Sequence, residues 1–190
     1  MKNIFLIGLI LLLSCNEKKD NNPHVTIVTS MGDIEAELYT EKAPKTVAAF
    51  LSYIDKGYYN NAAFYRIIIQ EGATPSLNTG IVQGGMWQNP NQTNIPGIPH
   101  ESTQQTKLSH TNGTISLART TVGSANTEFF ICVGDQTQYD YGNEGVGDKQ
   151  GYSAFGKVLQ GMEVVRKIQQ QATNGDQLTD KVIITKITHD

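Results

Sequence analysis

The middle of the chain combines many Gly, Asn and Gln residues with few charged ones, and this composition limits what the chain can fold into. Fourteen of the eighteen glycines fall between Gly72 and Gly161, and the same stretch contains sixteen Asn and Gln residues. A stretch of this kind is either disordered or made of short strands that long loops connect. The apolar runs Ile115–Ala118 and Phe129–Val133 inside it favour short strands.

The apolar patterning of the whole chain predicts about eight strands and two helices. Val25–Thr29 and Ile34–Leu38 form an opening hairpin, because apolar and acidic residues alternate in the second segment. Pro44 begins a helix that ends near Gly57 and carries apolar residues at the spacing i, i+3, i+4, i+7. Further strands are expected at 63–69, 81–83, 113–118, 129–133, 154–158 and 182–187, and a second helix at 162–170. This order predicts a mainly β domain, a closed eight-stranded antiparallel β-barrel capped by two α-helices.

The N-terminal residues are typical of a secretory signal. Lys2 precedes an apolar run from Ile4 to Leu13, which is shorter than the roughly 20 residues that a membrane-spanning helix needs. The segment Leu12–Cys15 resembles the lipobox of bacterial lipoproteins, in which the cysteine is lipidated and becomes the mature N-terminus. The alternative is an ordinary secretory signal followed by an incidental cysteine.

These features divide the chain into three parts: a lipoprotein signal peptide at 1–14, a flexible tether at 15–23 and one domain at 24–190. A lipid at Cys15 would anchor the protein to a membrane of the cell envelope. Asn16, directly after the cysteine, favours the outer membrane, and nothing in the sequence tells which side of the membrane the domain faces.

Several functional classes are disfavoured by charge and by residue spacing. Removing residues 1–14, which contain Lys2, changes the net charge from −3 to −4, which argues against nucleic acid as the main partner. The four histidines have no metal-ligand spacing, and the sequence contains no nucleophile elbow, phosphate-binding loop or EF-hand. Cys132 lies in an apolar strand without a basic neighbour, so we expect it to be a small buried hydrophobic residue. No cofactor or metal is predicted.

The order of several short motifs resembles that of the cyclophilins. The matching segments extend from about residue 25 to 188 and are Thr29–Ile34, Lys42–Val47, Gly57–Asn61, Phe64–Ile68, Val82–Gly85, Gly113–Arg119, Glu128–Cys132, Phe155–Val158 and Gly161–Met162. The resemblance implies an eight-stranded antiparallel barrel with two capping helices. It also implies a peptidyl-prolyl cis-trans isomerase that needs no cofactor and acts on proline-containing peptide segments.

Carried over to this sequence, the family's active site gives Arg66 and Gln83 as catalytic residues. A guanidinium can donate a hydrogen bond to the prolyl imide nitrogen when that nitrogen becomes pyramidal in the twisted state, and Gln83 is expected to bind the substrate backbone and to orient Arg66. The alternative for Arg66 is an exposed strand residue in a surface ion pair. The resemblance further implies a substrate-binding set with Phe130 as the floor of the proline pocket: Ile81, Ala118, Arg119, Glu128, Phe130, Tyr139 and Tyr152. Phe64 is expected in the core.

The sequence departs from the family pattern around the pocket. Residues 70–79 form an insertion, and the usual pocket phenylalanine falls at Gly80, so the pocket needs another apolar side chain, such as Leu77. Glu128 replaces a glutamine, and its carboxylate can either lock Arg66 in an ion pair or accept a substrate N–H. The insertion and the long loop at 135–151 are expected to form the rims of the groove.

Three aromatic residues of this sequence, Tyr139, Tyr152 and Trp87, fall at or near positions that the family uses around its pocket. The usual tryptophan and leucine align with Gln138 and Tyr139, and the usual histidine aligns with Tyr152. Trp87 follows the glycine pair of the Val82–Gly85 motif and is expected to be packed in the core rather than in the groove.

Two functions therefore remain open from the sequence. The first is an active, monomeric isomerase, tethered by lipid in the cell envelope, which accelerates rotation of X-Pro bonds in exported proteins and assists their folding. The second is a binding module or chaperone with the same barrel that holds proline-containing segments with weak catalysis. Arg66, Gln83 and Phe130 favour the first function, whereas Glu128, Gly80 and the absence of the usual tryptophan at Gln138 favour the second.

Overall fold

The computed structural model describes residues 22–72, 74–87 and 95–190. The strands are β1 (His24–Thr29), β2 (Gly32–Leu38), β3 (Ala62–Gln70), β4 (Thr79–Gly85), β5 (Thr114–Leu117), β6 (Phe129–Val133), β7 (Ser153–Gln160), β8 (Thr173–Asn174) and β9 (Gln177–His189). The helices are α1 (Pro44–Asp55), α2 (Thr103–Thr106) and α3 (Met162–Gln169), with single 3₁₀ turns at Pro75–Leu77 and Thr137–Tyr139. The predicted signal peptide and Cys15 lie outside the described residues.

The strands form one antiparallel sheet that closes on itself. Their order is β1-β2-β7-β5-β6-β4-β3-β9, and β1 pairs with β9 to complete an eight-stranded barrel. The predicted closed barrel is thereby confirmed. The two-residue strand β8 adds a hairpin to β9 at the outside of this ring, and the four-residue helix α2 is a third helix where two were predicted.

Aromatic rings fill the barrel below α1. Phe50 on α1 lies 5.7 Å from Phe129 and 5.0 Å from Phe155 between ring centroids, and Phe129 makes an edge contact of 5.7 Å with Phe64. All four rings are completely buried, so Phe64 belongs to the core as predicted. Large aromatic side chains bury more apolar area per residue than any others, so this cluster stabilises the closed barrel.

The first described residues of the chain are hydrogen-bonded to the barrel. The Pro23 carbonyl accepts a hydrogen bond from Leu38 N at 3.0 Å, and Asn22 Nδ2 donates to Glu37 at 3.4 Å. Asn22 and Pro23, which the sequence analysis assigned to the tether, therefore already contact β2. None of the described helices is long and apolar enough to cross a membrane.

Candidate active site

A groove of about 470 Å³ opens on one face of the barrel, where β3, β4, β5 and β6 lie side by side. All nine residues that the sequence analysis assigned to catalysis or substrate binding line this groove: Arg66, Gln83, Ile81, Ala118, Arg119, Glu128, Phe130, Tyr139 and Tyr152. They come from segments far apart in sequence, so the sheet pairing brings them together. Their individual roles stay predictions.

The floor of the groove is an aromatic box. Phe130 is 1% exposed and makes edge contacts with Tyr139 at 5.9 Å and with Tyr152 at 5.2 Å between ring centroids. The ring of His110 stacks on Phe130 at 5.8 Å, and its Nδ1 lies 2.6 Å from Asp140. These contacts surround the Phe130 ring with other rings and make the floor of the groove apolar.

A polar wall lies beside this apolar floor. Arg66 Nη1 donates to Gln83 Oε1 at 3.2 Å, and Arg66 Nη2 donates to Asp176 Oδ2 at 2.9 Å. The Arg66 side chain is 34% exposed and that of Asp176 is 55% exposed. The sequence left two interpretations of Arg66, a catalytic residue or an exposed residue in a surface ion pair. The structure contains features of both, since Arg66 makes a surface ion pair and also lies in the groove next to Gln83.

Glu128 is bonded to the protein and is not the ion-pair partner of Arg66. Its Oε2 accepts from the Tyr65 hydroxyl at 2.7 Å, and its Oε1 accepts from Met86 N at 2.9 Å and from Thr127 Oγ1 at 3.1 Å. Burial raises the pKa of this carboxyl, although the hydrogen bonds that it accepts oppose the shift. Of the two alternatives for Glu128, the structure does not contain the ion pair with Arg66: Asp176 pairs with the arginine, and the Tyr65 hydroxyl donates to the Glu128 carboxylate.

Arg119 reaches the groove, but its guanidinium holds the neighbouring loop. It donates to both oxygens of Asp148 at 2.7 and 2.9 Å and twice to the carbonyl of Gly151, at 3.1 and 2.6 Å. These bonds from Arg119 lower the pKa of Asp148 to about 2. The guanidinium carbon also lies 5.5 Å from the centre of the Tyr152 ring. Arg119 therefore fastens the 135–151 loop, which forms a rim of the groove as predicted and contributes Tyr139.

The prediction that the insertion at residues 70–79 forms the other rim of the groove is wrong. The described residues of 70–79 do not line the groove; Pro75, Ser76 and Asn78 instead share a shallow pocket with the end of α3, where Gln169 Nε2 donates to the Thr79 carbonyl at 3.1 Å. Leu77 is 61% exposed and does not fill the pocket. Ile68 packs there instead, against Ile81, Phe130 and Cys132. Cys132 is completely buried, as predicted.

Trp87 lies in the groove, which contradicts the prediction that it is packed in the core. The side chain is 41% exposed and stacks on Tyr65 with ring centroids 4.9 Å apart. The reason is that β4 ends at Gly85, and the turn after it carries Trp87 over the Tyr65 ring.

Two polar residues of the site, Tyr65 and Asp176, were not predicted from the sequence. Tyr65 is the extra residue of a β-bulge, because Phe64 pairs with Gly84 while Arg66 pairs with Gln83. The bulge brings Tyr65 and Arg66 to the groove although they are adjacent in sequence. The apolar residues before Tyr65 and after Arg66 give no signal for the bulge. Asp176 follows Gly175 in the β8–β9 hairpin, and its carbonyl accepts from Ile67 N at 2.8 Å. The pairing of β9 with β3, which no local pattern reveals, brings it to Arg66.

The described residues contain no group of three or more His, Cys, Asp or Glu side chains that could hold a metal ion. The polar groups that line the groove beside its apolar floor include two guanidinium groups, three phenols, the Gln83 amide and one carboxylate, and they belong to Arg66, Arg119, Tyr65, Tyr139, Tyr152, Gln83 and Glu128.

Comparisons with known proteins agree with this geometry. The family model for "Cyclophilin type peptidyl-prolyl cis-trans isomerase/CLD" matches residues 24–189. Peptidyl-prolyl cis-trans isomerase A of Dickeya dadantii is 38% identical over 151 residues, covering 79% of this chain and 73% of the relative. Peptidyl-prolyl cis-trans isomerase B of Escherichia coli is 34% identical over 170 residues, covering 86% of this chain and 98% of the relative.

Solved structures show the same fold. A crystal structure of a cyclophilin type peptidyl-prolyl cis-trans isomerase from Cryptosporidium parvum has a TM-score of 0.71 at 22% identity, covering 89% of this chain and 98% of that one. A second crystal structure of that protein, in the presence of the dipeptide Ala-Pro, has a TM-score of 0.69 at 22% identity and covers 88% of this chain and 98% of its own. These likenesses concern the barrel and its helices.

Proposed function

The chain belongs to the cyclophilin-type peptidyl-prolyl cis-trans isomerases, and from that membership we propose that Arg66 is the catalytic residue of its groove. The protein is an isomerase of X-Pro peptide bonds. The observation that carries the proposal for Arg66 is that its guanidinium lies in the same groove as the buried Phe130 floor and bonds directly to Gln83.

The reaction needs a donor rather than a nucleophile. Rotation about a peptide bond faces a barrier of about 18–20 kcal/mol because of amide resonance, and X-Pro bonds exchange over tens to hundreds of seconds without a catalyst. In the twisted state the lone pair of the imide nitrogen is no longer delocalised into the carbonyl group, so it can accept a hydrogen bond. A donor that meets this lone pair stabilises the twisted state more than either planar state and so lowers the barrier.

Arg66 suits this role because its charge is permanent and its donors are numerous. A guanidinium has five N–H groups, and the bonds to Gln83 and Asp176 use two of them. The Asp176 carboxylate is more than half exposed, and ion pairs of this kind contribute only about 0–1 kcal/mol. The pair therefore orients Arg66 without removing its capacity to donate to a substrate.

The substrate that fits the groove is a proline-containing peptide segment. The apolar box around Phe130 receives the pyrrolidine ring, and Gln83, beside Arg66, binds the substrate backbone. The Ala-Pro dipeptide used with the Cryptosporidium parvum protein supports the same class of substrate for this chain.

We also propose that the enzyme works in the cell envelope as a lipid-anchored monomer that assists the folding of exported proteins. The support for the anchor is the apolar run that ends in Leu12–Cys15, and Asn16 favours the outer membrane. Exported chains carry X-Pro bonds whose slow isomerisation delays folding, so an isomerase tethered there acts where such chains fold.

The catalytic proposal predicts that Arg66→Ala loses most of the activity while it keeps the fold. Removing one donor to a transition-state charge typically costs about 100-fold or more in rate, so we expect a loss of that size. The measurement is the isomerisation rate of a short X-Pro peptide with the full chain in detergent. Arg66→Lys keeps the charge but not the planar fork, so it should also lose most activity.

The matched control is Arg166→Ala, which removes an arginine of α3 that does not line the groove and should leave the rate unchanged. A wild-type chain without a rate above background would refute the isomerase assignment. Equal rates for wild type and Arg66→Ala would refute only the role of Arg66.

A further inference from the structure

Three hydrogen bonds link four side chains in a row from Glu128 to Arg66. In each bond the donor is the residue nearer to Arg66. The Tyr65 hydroxyl donates to Glu128 Oε2 at 2.7 Å, Gln83 Nε2 donates to the Tyr65 oxygen at 2.7 Å, and Arg66 Nη1 donates to Gln83 Oε1 at 3.2 Å. These four side chains, Glu128, Tyr65, Gln83 and Arg66, form what we call the polar relay. It begins at a partly buried carboxylate and ends at the catalytic guanidinium.

The chemistry of each link fixes the direction of the next one. An ionised carboxylate only accepts hydrogen bonds, so Tyr65 must use its single proton toward Glu128. The Tyr65 oxygen then has only lone pairs left for Gln83, which must present its NH₂ group to Tyr65. The oxygen of the Gln83 amide consequently faces Arg66, whose groups can only donate. The charge state of Glu128 thus decides the orientation of an amide two links away.

The anchor of the relay is rigid. Glu128 also accepts from Met86 N at 2.9 Å and from Thr127 Oγ1 at 3.1 Å, and Tyr65 is 4% exposed beneath the Trp87 ring. A glutamine, which the family usually has at the position of Glu128, carries two donors as well as an acceptor and would leave the direction of the Tyr65 hydroxyl open.

We infer that Tyr65 and Glu128 are positioning residues, which hold the Gln83 amide with its oxygen toward Arg66 and so keep the guanidinium in place for isomerisation. The inference rests on the proposed role of Arg66. The inference assigns a role to Glu128 at the position where the family usually has glutamine. From the sequence alone, this replacement favoured weak catalysis.

The relay makes the activity depend on the protonation of Glu128. Above its pKa the carboxylate accepts from Tyr65; below it, the protonated carboxyl can donate and the hydroxyl of Tyr65 is free to turn. The titratable groups that face Glu128 are the phenols of Tyr65 on β3 and of Tyr59 just before it. Arg66 lies beyond Gln83, and Lys181 lies beyond Trp87, with its Nζ 5.7 Å from the centre of that ring. Because burial raises the pKa of Glu128, the acid loss of activity should begin at higher pH than for an exposed glutamate.

The test compares Tyr65→Phe, Glu128→Gln and the double variant with the wild-type full chain in detergent. Each single variant should lower kcat about threefold to tenfold, the size expected for one positioning hydrogen bond, and leave KM for an X-Pro peptide within about twofold. The double variant should be no slower than the slower single variant, because both changes break the same relay. In Glu128→Gln, the acid limb of the pH–rate profile that Glu128 causes should disappear.

The matched control is Tyr53→Phe, which removes the hydroxyl of a tyrosine on α1 that stacks on Tyr58 with ring centroids 5.6 Å apart and does not line the groove. It should leave kcat unchanged. The inference is overturned if folded Tyr65→Phe keeps the wild-type kcat, if the two losses multiply, or if Glu128→Gln retains the wild-type acid limb. Should Glu128→Gln not fold, Tyr65→Phe alone decides. Arg66→Ala separates the two proposals: wild-type activity in this variant would refute the role of Arg66 and the inference together, whereas its loss of activity beside a wild-type kcat in Tyr65→Phe would refute the inference alone.

Discussion

At the scale of single residues, Gly80 decides which side chains can line the pocket. Its φ is +132°, and a Cβ atom there would lie 1.9 Å from the Ile68 carbonyl oxygen, which is a backbone atom that cannot move aside. The phenylalanine that the family usually has at this position is therefore incompatible with the present backbone. The apolar contact comes instead from Ile68 on the neighbouring strand.

We expect Gly80→Ala to destabilise the fold by at least about 3 kcal/mol, because it combines an unfavourable φ with the clash against Ile68. The measurement is the free energy of unfolding in urea. The matched control is Gly123→Ala, whose φ is +79° but whose Cβ would meet nothing within 4 Å, so it should cost only about 1–2 kcal/mol. Equal costs for both variants would show that the contact with Ile68 is unimportant.

At the scale of elements, α1 is capped by a residue from another part of the chain. Ala43 at its N-cap has no side-chain hydrogen bond, and the first turn has no acidic residue. The buried Glu101 carboxylate supplies both functions: it accepts from Lys45 N at 3.2 Å, from Thr46 N at 2.8 Å and from Thr46 Oγ1 at 2.7 Å. A negative charge at a helix N-terminus also interacts favourably with the helix dipole. This contact ties the segment before α2 to the helix that covers the aromatic core.

We expect Glu101→Ala to lower the free energy of unfolding by about 1–2 kcal/mol, the usual cost of losing a helix cap. Thermal or urea unfolding measures it. Glu41→Ala, an exposed glutamate just before α1, is the control and should change stability by less than about 0.5 kcal/mol. If Glu101→Ala were as stable as the control Glu41→Ala, the contacts of Glu101 with α1 would contribute nothing to the stability of the fold.

The positions of most elements could be predicted because each leaves a local pattern. Pro44 and the apolar spacing after it locate α1, and the run Phe129–Val133 locates β6 to the residue. The bulge at Tyr65 and the hairpin that brings Asp176 to Arg66 could not be predicted, because they arise from pairing between strands far apart in sequence. The groove was therefore predicted better in its apolar floor than in its polar wall.

At the scale of the whole molecule, the proposed lipid anchor would set where the barrel can work. Because Asn22 and Pro23 already contact β2, the proposed tether shortens to residues 15–21, which span at most about 25 Å when fully extended. An enzyme held so near a lipid surface meets chains that emerge at that surface before those that are distant from it.

We expect Cys15→Ser to release the protein from the membrane, because no acyl chain can then be attached. The measurement is the partition of the protein between the membrane fraction and the aqueous fraction, followed by detergent phase separation. Cys132→Ser is not expected to move the protein, since this cysteine is completely buried in β6. A Cys15→Ser variant that remains in the membrane fraction would contradict the lipid anchor.

The position of Trp87 gives the enzyme a built-in optical reporter. It is the single tryptophan of the chain, it stacks on Tyr65 at the edge of the groove, and it is 41% exposed. All indole fluorescence therefore originates beside the polar relay. A peptide that covers the ring replaces water around it, so its arrival can be followed as a change in emission intensity and wavelength. Occupancy of the groove thus becomes measurable separately from turnover, without attaching a dye.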